Sequence, residues 1–261
     1  MTEHSAYFVR VGEHRLLPQR SCAGAWNVEE LHVSPVNGLL MHEMERWLSE
    51  RPLDGKLVTR VSCDYLGVLG FDECDVRLEV LRPGRSVELV EGVLSQNGRA
   101  ALRARVWRLS GSDTSPVQGG ERDPLPPVEA GEPFNLSTVW PGDYIASLDM
   151  RAVKGPSPGR ATAWITTPLD IVDGERTTDL ARFTLLVDTA NGIAVRRPPE
   201  EWHFPNVDLT IHLFRQPEGV WVGFDTSVAF GPTGHGVTST DLYDARGHVG
   251  GAAQTLVVRP R

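Results

Sequence analysis

The chain has 261 residues, 40% of them hydrophobic, and a formal net charge of −8. That is enough apolar material for a real core, in one large domain or two of roughly 100–150 residues. The acidic balance argues against nucleic acid and against an anionic membrane surface as partners. No apolar run approaches the roughly 18 residues a membrane helix needs, and Met1-Thr2-Glu3-His4-Ser5 is polar, so a cytoplasmic location is expected. Cys22, Cys63 and Cys74 are an odd number without metal-ligand spacing, and read as buried, reduced thiols.

In chain order, the first expected element is a helix over residues 37–50. Leu39, Leu40, Met44 and Trp47 recur at helical spacing, Pro35 and Asn37 mark its start, and Pro52 stops it. Strands follow over 56–66, 74–81, 86–94 and 100–109. Pro83-Gly84 and Asn97-Gly98 are the turns, Asn-Gly being the strongest short hairpin signal. The stretch from Ser110 to Pro133 is rich in Gly, Pro and Ser and buries little, so it reads as a linker. The expected division is 1–110, a linker over 111–133, and 134–261.

Beyond the linker, strands are expected over 144–153 and 160–167. One continuous helix is expected over 178–194, capped by Thr177 or Thr178, with Leu180, Phe183, Leu186, Val187 and Ala190 facing inward. Strands over 207–214, 220–230, 236–243 and 249–259 close the chain. Each half is thus a helix followed by an antiparallel meander. Gly98 aligns with Gly247, 149 positions apart, which indicates a structural duplication rather than a short-period repeat. The fold class is α+β: two long helices, each wrapped by an antiparallel sheet, with the sheets joined along their edges.

Three polar residues stand out in the second half. Asp188 interrupts an apolar helix face, Asn206 stands at a strand entrance, and Gln254 lies in small and apolar company on the last strand. Each has an ordinary explanation when taken alone: a boundary acid, a solvated strand face shared with Asp208, Thr210 and His212, and an amide satisfying a backbone group. No nucleophile elbow, P-loop, dinucleotide fingerprint or zinc-binding histidine pair is present, so neither covalent nor metal catalysis is indicated.

These residues occur within a wider pattern: Trp164 with Pro168-Leu169 and Asp173-Gly174-Glu175, the segments 185–192 and 204–214, Trp221-Val222-Gly223, Gly231-Pro232 with Gly234, and 247–260. In this pattern the sequence resembles the double-hotdog acyl-CoA thioesterases of the type II (TesB-like) group, in the branch common in actinobacteria. The resemblance implies hydrolysis of an acyl-CoA to free fatty acid and CoA, without cofactor or metal, by a water oriented by Asp188, Asn206 and Gln254. Asn206 departs from the commoner Thr. It also implies a homodimer or homotetramer. The first half departs further: the position 149 before Gln254 is Arg105, and its helix offers His42, Glu43 and Glu45. The segment His32–Gly38 differs from the Gly-Gly-Pro-Pro type of helix entrance. One working site is therefore expected, with the first half supplying a wall of the acyl pocket. The alternative is a non-catalytic acyl-CoA or acyl-lipid binding protein. A hotdog dehydratase would want a paired Asp and His near a helix start, and no histidine stands in the helix behind Asp188.

Overall fold

The computed structural model describes residues 5–261. The first half contains β1 (Ala6–Arg10), β2 (Arg15–Pro18), α1 (Val33–Ser49), β3 (Lys56–Tyr65), β4 (Cys74–Arg82), β5 (Val87–Gln96) and β6 (Arg99–Ser110). The second contains β7 (Glu132–Pro133), α2 (Asp143–Ala146), β8 (Asp149–Ser157), β9 (Arg160–Thr166), β10 (Asp170–Val172), α3 (Asp179–Val187) and α4 (Ala190–Ile193). It closes with β11 (Trp202–His203), β12 (Asp208–Leu213), β13 (Val222–Phe230), β14 (His235–Asp244), β15 (Gly247–Val257) and β16 (Arg259–Pro260). Residues 111–124, between the halves, are exposed.

Fourteen strands form one sheet in the order β10-β1-β2-β4-β5-β6-β3-β12-β15-β14-β13-β9-β8-β7. From the centre outward the two sides match: β3, β6, β5, β4, β2, β1 against β12, β15, β14, β13, β9, β8. The duplication is therefore a pseudo-twofold, with β3 and β12 paired antiparallel at its centre. This pairing removes the exposed edge that each half would present alone. At the centre Ser62 faces Thr210, 148 positions apart, with their hydroxyls 3.2 Å apart. The hairpin at Asn97-Gly98 has positive φ at both residues, 53° and 75°, as a tight two-residue turn between right-twisted strands requires.

The two main helices pack on each other antiparallel. Ser34 meets Asp188, Gly38 meets Leu185, and Glu45 meets Thr178. Gly38 allows the close approach: a Cβ there would lie 2.6 Å from Leu185 Cβ. α1 buries Val36, Leu39, Leu40, Met41 and Met44, which join one continuous core with Leu185, Leu186 and Val187 of α3. The three cysteines are free and buried, and burial pushes each thiol above its ordinary pKa.

The sequence expectations need four corrections. α1 begins at Val33, four residues early, because His32 Nδ1 accepts the Ser34 N–H and caps the first turn, which tolerates Pro35. The expected strand over 144–153 opens instead as the helical turn α2, entered through Gly142 at φ 102°; only from Asp149 does it pair as a strand. The helix expected over 178–194 is not continuous. α3 ends at Val187, Asp188 is its C-cap, and α4 resumes at Ala190. The equivalence of Gln254 with Arg105 is also off by one: Arg105 and Ala253 both pair with the central residues, Ser62 and Thr210, which leaves Val106 opposite in role to Gln254.

Candidate active site

The break after α3 exposes a backbone carbonyl and a carboxylate at one point, and the structure gathers all three expected residues there. Asp188 is 4% exposed. Its Oδ1 accepts from Asn206 Nδ2 at 2.7 Å and from Gln254 Nε2 at 3.0 Å. Gln254 Nε2 also donates to the Asp188 carbonyl at 3.1 Å, and Asn206 Nδ2 to the Asp208 carbonyl at 3.2 Å. Both amides thus face acceptors alone with their NH2 groups, which fixes their orientation.

The first half contributes more than a wall. Tyr65, the last residue of β3, donates to Asp188 Oδ1 at 2.9 Å and accepts from Asn37 Nδ2 of α1 at 2.8 Å. Ser34 Oγ donates to Asp188 Oδ2 at 3.2 Å. Burial and the neighbouring carboxylate push the Tyr65 hydroxyl well above its usual pKa, so it remains a donor. A buried carboxylate needs such donors to remain in a low-dielectric site. Three of them saturate Oδ1, so Oδ2 is the oxygen with capacity for a reacting proton.

His32 was not among the expected site residues. It stands where the sequence put it, at the entrance of α1, and lies across from Asp188, with Nδ1 3.9 Å from Asp188 Oδ2. Its ring stacks on Tyr144 with centroids 4.3 Å apart, and the Tyr144 hydroxyl meets Thr189 Oγ1 at 2.7 Å. Burial lowers the His32 pKa despite the Asp188 charge, which favours the neutral imidazole.

The cluster opens onto a cavity of about 390 Å³, lined by His32, Tyr65, Asp188 and Asn206 on its polar side and by Trp26, Leu69, Trp140 and Ile145 on its apolar side. Trp26, Trp140 and Phe204 pack edge to face behind it. A cavity with a mostly apolar lining and a few convergent polar groups is the usual form of a small-molecule site.

A second acidic cluster lies near the other end of α1. His42, Glu43 and Glu175 place ligand-type atoms within 4.8 Å of one another. Arg10 bonds both carboxylates, Glu175 through Nε at 2.6 Å, and His42 Nε2 lies 2.9 Å from Glu175. The guanidinium already occupies the place of a cation, so the group is an ion-pair network.

The fold and this site define a double-hotdog protein with a buried polar cluster at the seam of its halves. A sequence family described as acyl-CoA thioesterase C-terminal domain matches residues 121–258, and one described as acyl-CoA thioesterase N-terminal domain matches residues 22–109. The chain belongs to this acyl-CoA thioesterase family and is a thioester hydrolase. No curated protein matches the sequence. Among solved structures it is similar to a candidate thioesterase II of Thermobifida fusca YX (21% identity, 98% of this chain and 96% of that chain, TM-score 0.70). It is also similar to a TesB protein of Mycobacterium avium subs paratuberculosis (15%, 98% and 97%, TM-score 0.69). A more distant likeness is to an inactive mutant of the CurK dehydratase (14%, 100% and 99%, TM-score 0.54).

Proposed function

We propose that the protein hydrolyses an acyl-CoA to the free fatty acid and CoA by direct attack of a water that Asp188 activates. The observation that carries this reading is the polarity of the carboxylate: Oδ1 is held by Tyr65, Asn206 and Gln254, while Oδ2 accepts from Ser34 alone among the described residues, and Asp188 lines the cavity. Oδ2 takes a proton from water as the water oxygen attacks the thioester carbon. The fixed carboxylate lowers the entropic cost of that attack. The C–S bond then breaks, and the thiolate leaves with the proton Asp188 has carried. The acyl chain lies against Trp26, Leu69 and Trp140, away from the polar side. The non-catalytic alternative makes the same pocket a binding site without turnover.

Steady-state release of free thiol from a panel of acyl-CoAs tests the reading, and multiple turnovers exclude the binding-only alternative. Asp188→Asn keeps the shape and an acceptor toward the three donors but loses the base. It should lower kcat by roughly 10²–10⁴; hydrolysis at the wild-type rate would end this mechanism.

One observation favours a second reading. His32 and Asp188 flank the same cavity, which also suits acid–base removal of water from a β-hydroxyacyl thioester. Conversion of an enoyl-CoA to its hydroxyacyl form, without thiol release, would select it. We further propose that the protein assembles as a homodimer or homotetramer, which light scattering measures directly.

A further inference from the structure

Thioester hydrolysis needs a hydrogen-bond donor where the carbonyl oxygen becomes negative. In a helix entrance such as that of α1, the free backbone N–H groups are the natural supply. Here part of that supply is diverted. The Ser34 N–H is 3.1 Å from His32 Nδ1 and is consumed by the cap. The same bond fixes the tautomer: Nδ1 accepts, so the ring proton of the neutral imidazole is on Nε2. Nε2 makes no hydrogen bond among the described residues, and it is not among the buried polar atoms without a partner, so it is open to the cavity that His32 lines. The ring is held from one face by Tyr144, which is itself fully buried and tied to Thr189. The result is a fixed, neutral donor on the cavity that Asp188 also lines.

We propose that His32 is a catalytic residue whose Nε2–H donates to the thioester carbonyl oxygen and holds the oxyanion during hydrolysis. As the water oxygen bonds to the carbonyl carbon, Asp188 Oδ2 receives the water proton and the carbonyl π electrons move onto the oxygen facing His32. Collapse of this tetrahedral species returns those electrons to the C=O bond and expels the thiolate, which takes the proton from Asp188. The imidazole donates a hydrogen bond throughout and transfers no proton. Its depressed pKa matches this role, because the neutral donor persists across the ordinary working range.

The proposal rests on the Asp188 mechanism above, and two substitutions isolate it. His32→Asn places an amide oxygen where Nδ1 is, keeping the cap on Ser34, and removes the donor at the Nε2 position. His32→Gln places an N–H near the Nε2 position and gives up the cap. Thiol release, KM and melting temperature are measured for both, with Asp188→Asn alongside. His32→Asn should lose about 10²–10³ in kcat with KM within about threefold of wild type and an unchanged melting temperature. His32→Gln should recover at least about tenfold of that loss while melting lower. If His32→Asn turns over within about threefold of wild type, or if both variants lose activity only in step with their melting temperature, the proposal is overturned. An inactive Asp188→Asn beside an active His32→Asn removes His32 alone from the mechanism. An active Asp188→Asn removes the mechanism itself.

Discussion

Tyr65→Phe removes one oxygen and tests whether the site spans both halves. The hydroxyl makes two buried bonds, donating to Asp188 Oδ1 at 2.9 Å and accepting from Asn37 Nδ2 at 2.8 Å. The first is charge-assisted, the kind that contributes about 1.5–3 kcal/mol; the second, once broken, strands a buried amide donor at about 1–3 kcal/mol. Asn37 is 1% exposed and its Oδ1 is already without a partner, so relaxation toward water offers little relief. Phenylalanine fills the same space and regains a fraction through its more apolar ring. The net loss is about 2–4 kcal/mol, or about 5–12 °C in melting temperature for a chain of this size. Calorimetry on Tyr65→Phe, Asn37→Leu and the double variant measures it. The double variant should be more stable than the sum of the singles by at least about 1 kcal/mol, since removing both partners leaves no orphan. Thiol release should fall about tenfold, because Asp188 keeps two of its three Oδ1 donors. A Tyr65→Phe protein that melts with wild type would refute the claim that this bond joins the halves.

Two further outcomes follow from the packing. Gly38→Ala, ordinarily a gain of about 1 kcal/mol in a helix, should be a net loss of about 1–3 kcal/mol, because its Cβ would lie 2.6 Å from Leu185 Cβ and force the helices apart; chemical denaturation checks the sign. Glu175 is held down to about 2, chiefly by its hydrogen bond from Arg10 and further by His42. A depressed carboxylate stabilises the fold above its unfolded pKa of about 4.3 and loses that contribution as pH falls toward 2. After allowance for solvent screening, Glu175→Gln should cost about 1–2 kcal/mol at pH 7, with a gap to wild type that closes between about pH 4 and pH 2. A gap independent of pH in denaturant titrations would contradict this.

Asp188, Asn206 and Gln254 were singled out through the family resemblance; by spacing alone each had an ordinary explanation, as a boundary acid, a solvated strand face and an amide satisfying the backbone. The meanders were legible because their turns carry Asn-Gly or Gly-Pro pairs. Tyr65, Ser34 and His32 were not. Their polar atoms gain a role only when α1 lies antiparallel on α3, which brings positions more than 120 residues apart into contact. A weak local signal did exist at His32-Val33-Ser34-Pro35, where an acceptor side chain precedes a helix-start proline. The helix break at Asp188 had none: neither glycine nor proline marks it, and the apolar spacing runs on through Ala190. Its visible partner is tertiary, since Gln254 bonds the carbonyl that would otherwise continue the helix.

The same pseudo-twofold that assembles one site makes its absence at the mirror position readable. The hydroxyl–carboxylate pair Ser34–Asp188 has its counterpart in Thr178–Glu45 across the same antiparallel helices. Around Glu45, however, the strand partners have changed. With strands 148 positions apart, Asn206 corresponds to Val58, Gln254 to Val106 and Tyr65 to Leu213, all three buried and apolar. Glu45 therefore has Thr178 but no amides among the described residues to hold one oxygen, and burial raises its pKa. Titration calorimetry with a thioether analogue of an acyl-CoA, which has no bond to hydrolyse, should give one equivalent bound per chain. Glu45→Gln should leave that stoichiometry and kcat unchanged, while Asp188→Asn removes turnover and keeps binding. Two equivalents per chain, or a halving of kcat in Glu45→Gln, would mean that both ends of the helix pair are working sites.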